Sequence, residues 1–372
     1  MLQEHNWQLV RKLLWLSIRE YCGRRNVVSA QPVDLLVITG QYLLLNPTNR
    51  GIFRYASGTT YEGDWKDGKK HGRGIYKYSN GDTYEGDYQD DMKHGRGIFK
   101  DANGTTYEGD WKDDMKHGRG IYRYASGTTY EGDYQDDKRH GRGIFKDATG
   151  DTYEGFWKDD MKHGRGIYKY SNGDTYEGDY QDDKRHGRGI YRYSYGDKYE
   201  GDWKDDNMHG RGIFKDANGT TYEGDWKDGN MHGRGIFRFA DGTTYEGDLK
   251  DDMKHGRGIY RYSNGDTYEG DYQDDKRHGR GIINWCNGSS FAGSFDSNKM
   301  RSGVFRSFVH GQGVSSSYDY SYHDTSSYEY KAEFTGGDDI VNGFKMYRVK
   351  LYNVAEGKLF KDCSFSNGQL IE

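Results

Sequence analysis

The sequence predicts an all-β protein: an elongated single-layer antiparallel sheet of stacked β-hairpins, forming an open solenoid, with a short N-terminal α-helix and degenerate capping repeats. Three observations predict this class. They are a strict 23-residue period, a two-residue alternation within each unit, and a composition of 55 Gly and 35 Tyr with only 2 Pro in 372 residues. Because the hydrophobic share is only 33%, aromatic rings must supply much of the core.

The repeat is the dominant feature of the chain. The triplet Tyr-Glu-Gly begins at Tyr61 and recurs every 23 residues as far as Tyr268. The ten units occupy 61–290 without an insertion. A fixed period of this length is typical of architectures in which identical supersecondary units stack in one direction.

Each unit contains the pattern of two strands. Tyr84, Gly86 and Tyr88 alternate with Glu85 and Asp87, which is the pattern of a strand with one apolar and one charged face. The stretch 97–100, Gly-Ile-Phe-Lys, follows as a second short strand. Successive strands are therefore expected to pair in antiparallel fashion.

The turn residues predict how the strands are joined. Asn80-Gly81 and its equivalents predict a tight type I′ turn, which needs positive φ at both central residues. The other connection, such as Lys66 to Gly72, is expected to be a wider loop that carries His71. Acidic pairs such as Asp90-Asp91 are expected to belong to a solvated rim that neutralises itself with neighbouring cations.

Glycines inside the strands predict an unusual core. Tyr61 and Trp65 flank Gly63 on one face, and a glycine within a strand often marks a place where a ring lies across bare backbone. We therefore expect a ladder of rings over glycines. Glu62 and Arg73 also recur in every unit, which predicts outward ladders of alternating charge.

The unit at 61–83, YEGDWKDGKKHGRGIYKYSNGDT, resembles a MORN (membrane occupation and recognition nexus) repeat. The resemblance extends over all ten units. It implies one β-hairpin per repeat and an elongated, twisted, often grooved sheet. It does not imply an enzyme, and the segment 291–372 lacks the nucleotide and methyl-donor motifs of the catalytic domains that follow the repeats in some relatives.

The ends of the chain depart from the repeat, as terminal units of an open sheet are expected to do. Apolar residues at helical spacing predict an amphipathic helix over 5–22. The predicted organisation is an N-terminal helix and lead-in at 1–37, a degenerate cap repeat at 38–60, the ten repeats at 61–290, and degenerate C-terminal repeats at 291–372 with a Ser/Tyr-rich loop at 314–330.

No catalytic, cofactor-binding or metal-binding residues are predicted. Equivalent histidines of adjacent repeats would lie roughly 9 to 10 Å apart, too far to share one metal ion. Three scattered cysteines and the lack of a secretory signal favour a cytoplasmic protein with reduced thiols, with peripheral membrane attachment as a further expectation. A formal net charge of -5 gives no reason to expect nucleic acid.

Two functions remain in competition. The first is a non-enzymatic scaffold or adaptor that binds protein partners or a second copy of itself. The second, implied by the resemblance, is a peripheral membrane adaptor that binds anionic phospholipids (phosphoinositide or phosphatidic acid) through a basic loop rim and the N-terminal helix. The candidate surface comprises Trp65, Tyr88, Trp111, Tyr134, Trp157, Tyr180, Trp203, Trp226, Lys69, Lys70, Lys93, Lys138, Arg139, Lys184, Arg185, Lys276 and Arg277.

A second period of two repeats is also present. The sequence Tyr76-Lys77-Tyr78 alternates with Phe99-Lys100-Asp101 in successive units of the first half of the array. Duplication of a 46-residue pair is the favoured explanation, ahead of a functional two-unit code.

Overall fold

A computed structural model describes residues 34–38, 41–45, 50–308, 327–341, 344–353, 359–366 and 369–371, with side chains between 50 and 304. All regular structure in this described part is β-strand. The predicted all-β class is confirmed. The predicted helix over 5–22 lies outside the described residues, as does most of the predicted loop 314–330, whose last four residues begin a strand.

The chain divides into two units between Ser171 and Asn172. In the first unit, consecutive strands pair in antiparallel fashion into one sheet layer. Its strands are β1 (Asp34–Ile38), β2 (Gln41–Leu45), β3 (Arg50–Arg54), β4 (Thr60–Lys66), β5 (Lys69–Lys77), β6 (Thr83–Gln89), β7 (Met92–Lys100), β8 (Thr106–Lys112), β9 (Met115–Arg123), β10 (Thr129–Gln135), β11 (Lys138–Lys146), β12 (Thr152–Lys158) and β13 (Met161–Lys169).

The second unit repeats the same antiparallel pairing of consecutive strands. Its strands are β14 (Thr175–Gln181), β15 (Lys184–Arg192), β16 (Lys198–Lys204), β17 (Asn207–Lys215), β18 (Thr221–Lys227), β19 (Asn230–Arg238), β20 (Thr244–Lys250), β21 (Met253–Arg261), β22 (Thr267–Gln273), β23 (Lys276–Asn284), β24 (Ser290–Asp296), β25 (Lys299–Phe308), β26 (Ser327–Val341), β27 (Phe344–Asn353), β28 (Leu359–Ser366) and β29 (Gln369–Ile371).

Tight and wide connections alternate as expected, but their predicted positions are reversed. The two-residue turn between β6 and β7 is Asp90-Asp91, with φ of 51° and 76°, the positive values that a type I′ turn requires. The Asn80-Gly81 pair lies in the five-residue connection 78–82, where only Gly81 has positive φ. Aspartate tolerates the left-handed region because its short side chain forms local hydrogen bonds, so an acidic pair replaces Asn-Gly here.

The predicted loop placement of the histidines is wrong for the same reason. Because the turn is so short, the second strand of each hairpin starts early, and His94 lies inside β7 opposite Asp87. The pairing register shifts between Gly86 and Asp87, and Gly95 has a φ of 59°. The Asp87 carboxylate accepts a 3.2 Å hydrogen bond from the Arg96 amide, so it holds this bulge in place.

The ring-over-glycine core is confirmed. The first tyrosine of each repeat is at most 1% exposed. Tyr153 lies across Gly155 and Gly166, and a Cβ added at Gly155 would lie 2.6 Å from the Gly166 Cα. The Tyr153 hydroxyl donates a 2.9 Å hydrogen bond to the Phe156 carbonyl. We call the sheet face that carries these rings the inner face, and the opposite face the outer face.

Candidate functional site

The candidate aromatic residues form part of the core. Tyr88, Trp111, Tyr134, Trp157, Tyr180, Trp203 and Trp226 are 4–7% exposed, and Trp65 is half-buried. Trp111 packs edge-on against Tyr107, with ring centres 5.1 Å apart. Its indole nitrogen donates a 3.2 Å hydrogen bond to the Gly97 carbonyl. The described structure therefore uses these rings for packing, and their contact with a partner stays a prediction.

One set of candidate cations covers those rings. The Lys93 ammonium lies 4.6 Å from the Trp111 ring centre, and the Arg139 guanidinium lies 4.1 Å from that of Trp157. Lys70, Arg185 and Arg277 occupy equivalent positions over Tyr88, Trp203 and Phe295. Burial lowers the pKa of the Lys93 ammonium. A cation over a partly desolvated ring contributes up to about 2 kcal/mol, so these residues stabilise the inner face.

The remaining candidate cations, Lys69, Lys138, Lys184 and Lys276, are exposed. Lys138 lies 3.8 Å from the Asp159 carboxylate, and Lys184 lies 3.8 Å from that of Asp205. Exposed ion pairs of this kind contribute only about 0 to 1 kcal/mol, but they reduce the net charge of the rim. The basic rim predicted from the sequence is therefore partly neutralised by the turns of the following repeat.

The acidic pairs do more than line a solvated rim. The second residue of each pair has positive φ, and within each unit it joins neighbouring repeats: the Asp114 carboxylate accepts a 2.8 Å hydrogen bond from the Lys93 amide. Equivalent bonds join Lys70 to Asp91 and Lys254 to Asp275. The sequence-based interpretation missed this role because it placed the tight turn in the other connection.

The histidines form a second set of contacts between repeats. His94 Nδ1 lies 3.7 Å from the Asp113 carboxylate, and His117 Nδ1 lies 3.6 Å from that of Asp136. Within the described residues, no group of three or more His, Cys, Asp or Glu side chains is placed to hold a metal ion. These residues therefore form a periodic set of separate His–Asp pairs.

A partly accessible aromatic row lies on the inner face. Its residues are not among the candidate surface residues predicted from the sequence. It consists of ring pairs at the ends of alternate second strands: Tyr76/Tyr78, Tyr122/Tyr124 and Tyr168/Tyr170 in the first unit, with ring centres 4.6, 4.5 and 4.4 Å apart. Tyr124 is 42% exposed. The signal was present in the sequence as the 46-residue alternation. Burial raises the pKa of Tyr78 to about 12, so its hydroxyl remains a neutral donor.

The second unit carries the same open aromatic row. The equivalent pairs Tyr191/Tyr193 and Tyr260/Tyr262 both have ring centres 4.5 Å apart. Tyr195, in the connection 193–197, extends the first pair with its ring centre 5.3 Å from that of Tyr193. Tyr195 is 66% exposed and Tyr262 is 40% exposed. We call these ring pairs of both units the open tyrosine row.

The outer face carries ladders of charge, but the arginines pair with aspartates rather than with the glutamates named from the sequence. Arg96 pairs with Asp110 at 3.5 Å, and Arg211 pairs with Asp225 at 3.3 Å. Glu85 instead lies opposite Ile98 in the strand register. The correct ladder is therefore arginine with the aspartate of the adjacent strand, because the register places the two residues directly opposite each other. No helix among the described residues is long and apolar enough to cross a membrane.

Comparison with protein families gives one match, to the family described as MORN repeat. It covers ten consecutive segments of 23 residues, 61–83, 84–106, 107–129, 130–152, 153–175, 176–198, 199–221, 222–244, 245–267 and 268–290. The matched segments make up well over half of the chain. No curated protein sequence matches the chain.

Three solved structures show weak likenesses to the chain. The TCP10 domain of Danio rerio CPAP in complex with a STIL peptide is 15% identical, covering 62% of this chain and 93% of that one, with a TM-score of 0.30. The TCP domain of Drosophila melanogaster SAS-4 with a proline-rich motif of Ana2 is 15% identical, covering 52% and 96%, with a TM-score of 0.27. Staphylococcus aureus virginiamycin B lyase is 10% identical, covering 74% and 95%, with a TM-score of 0.13. Scores this low carry no argument about this chain.

Proposed function

This chain belongs to the MORN-repeat family, and from that premise we propose that it is a non-enzymatic scaffold that binds protein partners in the cytoplasm through the open tyrosine row. The observation that carries the proposal is the exposure of Tyr124, Tyr195 and Tyr262 beside rings that are buried or half-buried. Tyrosines with one accessible edge are enriched at protein interfaces, since they bury large area and still donate a hydrogen bond.

The spacing of the row favours an extended partner surface. Ring pairs in the first unit recur every 46 residues, which is four strands. At about 4.8 Å per strand, successive pairs lie about 19 Å apart. Several weak contacts at such intervals reinforce one another when a single partner reaches more than one of them. The partner is therefore expected to contact at least two tyrosine pairs.

The alternative, a peripheral membrane adaptor for anionic phospholipids, has less support. Polybasic attraction to a membrane needs net positive charge at the surface. Lys138 and Lys184 each lie beside a carboxylate, and Arg139 and Arg185 pack over tryptophan rings. Any contribution of the segment 5–22 is a separate question, because that segment lies outside the described residues.

The test compares Tyr124→Ser/Tyr195→Ser with the matched variant Tyr124→Phe/Tyr195→Phe. Each tagged chain is used for quantitative co-purification and for co-sedimentation with vesicles that contain phosphoinositide or phosphatidic acid. We expect the serine variant to co-purify at least tenfold less partner protein than the unchanged chain does. The phenylalanine variant should retain most of the partner protein. Equal capture by both variants, together with vesicle binding that is lost on Lys138→Glu/Lys184→Glu, would favour the membrane function instead.

A further inference from the structure

The outer face of the first unit alternates between acidic and basic strands. On β8, the outward residues are Thr106, Glu108 and Asp110, and on β9 they are Arg119, Ile121 and Arg123. The same order recurs on the other strand pairs between β4 and β13, except that Phe156 replaces the aspartate of β12. This surface therefore carries stripes of opposite charge, each one strand wide.

An aliphatic row runs through the middle of this striped face. Ile98 and Ile144 are 46% and 48% exposed, and Ile52 and Ile167 are also exposed. Ile98 lies between Glu85 and Glu108 in the strand register, and Ile144 lies between Glu131 and Glu154. Because glutamates separate them, these side chains form no continuous apolar patch, and the charged stripes are the main feature of the face.

We propose that the outer face of residues 50–169 docks against the same face of a second copy of the chain. Charge complementarity identifies this occupant. A two-fold axis parallel to the strands, placed between an acidic and a basic strand, brings each acidic strand of one copy over a basic strand of the other. Such an interface is isologous, so one striped surface supplies both sides.

The repeat spacing strengthens the choice of a second copy. A partner must match stripes about 4.8 Å wide to keep opposite charges together along the face. Another copy of the same array has that spacing by construction. The eleven strands β3–β13 span about 48 Å, and three outward residues span about 15 Å across the strands. The resulting face of about 700 Å² is close to the roughly 800 Å² per partner of a stable interface.

This surface is distinct from the open tyrosine row, so the two proposals fail independently. The first test measures the mass of the full chain at about 10 μM by light scattering after size exclusion. We expect twice the 42.9 kDa of one chain. Ile98→Glu/Ile144→Glu is expected to weaken the dimer at least tenfold, because the register places each new carboxylate at the height of the glutamates of the other copy. Tyr124→Ser, at a similarly exposed position on the inner face, is expected to leave the dimer unchanged.

A pair of charge-swap variants distinguishes a loss of the dimer caused by the changed charges from one caused by misfolding. One variant carries Glu85→Arg, Glu108→Arg and Glu131→Arg, and the other carries Arg96→Glu, Arg119→Glu and Arg142→Glu. Each alone is expected to be monomeric, because like charges then face one another, and an equimolar mixture is expected to form a heterodimer. A monomeric wild-type chain at 10 μM, or a dimer unaffected by both the isoleucine and the charge-swap changes, would overturn the proposal.

Discussion

The Asp114 carboxylate accepts a 2.8 Å hydrogen bond from the Lys93 amide, and the Asp114 amide returns a 3.0 Å bond to the Lys93 carbonyl. These two residues belong to consecutive hairpins. The reciprocal bonds tie a two-residue turn to the start of a strand in the preceding repeat. Because equivalent pairs recur in both units, such a turn both closes its own hairpin and joins it to the preceding one.

Removing this link should weaken the stack. Asp114→Ala loses the acceptor and places an alanine at a φ of 69°, and we expect it to destabilise the protein by about 2 kcal/mol. Asp114→Asn keeps a carbonyl acceptor and tolerates positive φ, so it should change stability by less than about 0.5 kcal/mol. Urea unfolding followed by tryptophan fluorescence measures both. Equal midpoints for the two variants would contradict the proposed role of the carboxylate.

The contact between Tyr153 and the glycine pair predicts a steric effect. Gly155→Val would drive a side chain into both the ring and the Gly166 backbone, and we expect a loss of about 3 kcal/mol or more. Gly127→Ala is the control, since nothing lies within 4 Å of an added Cβ there and only its φ of 93° opposes the change. Its expected loss is about 1 to 2 kcal/mol. Thermal melts in which Gly155→Val matches the parent would remove the ring-over-glycine explanation.

Two adjacent cations, Lys138 and Arg139, are expected to contribute differently to stability. Arg139 lies over the Trp157 ring, whereas Lys138 lies in an exposed ion pair. We expect Arg139→Met to destabilise the array by about 1 to 2 kcal/mol and Lys138→Met by less than about 0.5 kcal/mol. Denaturation midpoints give the stability, and the emission maximum reports Trp157. The interpretation fails if the Lys138 change is the more damaging one.

Acid should weaken the five-residue connections. The Ser171 amide at 2.7 Å and the Tyr168 hydroxyl at 2.9 Å both donate to Asp151, and the amide bond is the main cause that lowers the pKa of this carboxyl. A lowered folded-state pKa means that the stabilisation is complete above about pH 4 and is lost as pH falls through the folded value. The melting temperature of Asp151→Asn should therefore lie below that of the parent at pH 7 and approach it near pH 2. A constant difference would contradict this role.

The period and the strand alternation were sufficient to predict the fold class, since a 23-residue unit with a two-residue pattern leaves few alternatives to stacked hairpins. The positions of the turns were not predicted. Asn-Gly has the stronger intrinsic preference for a type I′ turn, but the hydrogen bond to the preceding repeat favours Asp90-Asp91, and that bond is visible only in three dimensions. The sequence did not distinguish the two aromatic rows of that face, because the alternation does not reveal which row is covered by cations, as Trp111 is, and which stays open, as Tyr124 does.

The proposed function is tested most directly by photo-crosslinking from the open tyrosine row in cells. A benzoylphenylalanine at position 124 should crosslink to a different polypeptide, and the same group at position 146, on the outer face, should give only a crosslinked dimer of this chain. Crosslinks to other proteins that are equally strong from both positions, or adducts to lipid alone from position 124, would contradict the assignment of the tyrosine row as the surface that binds protein partners.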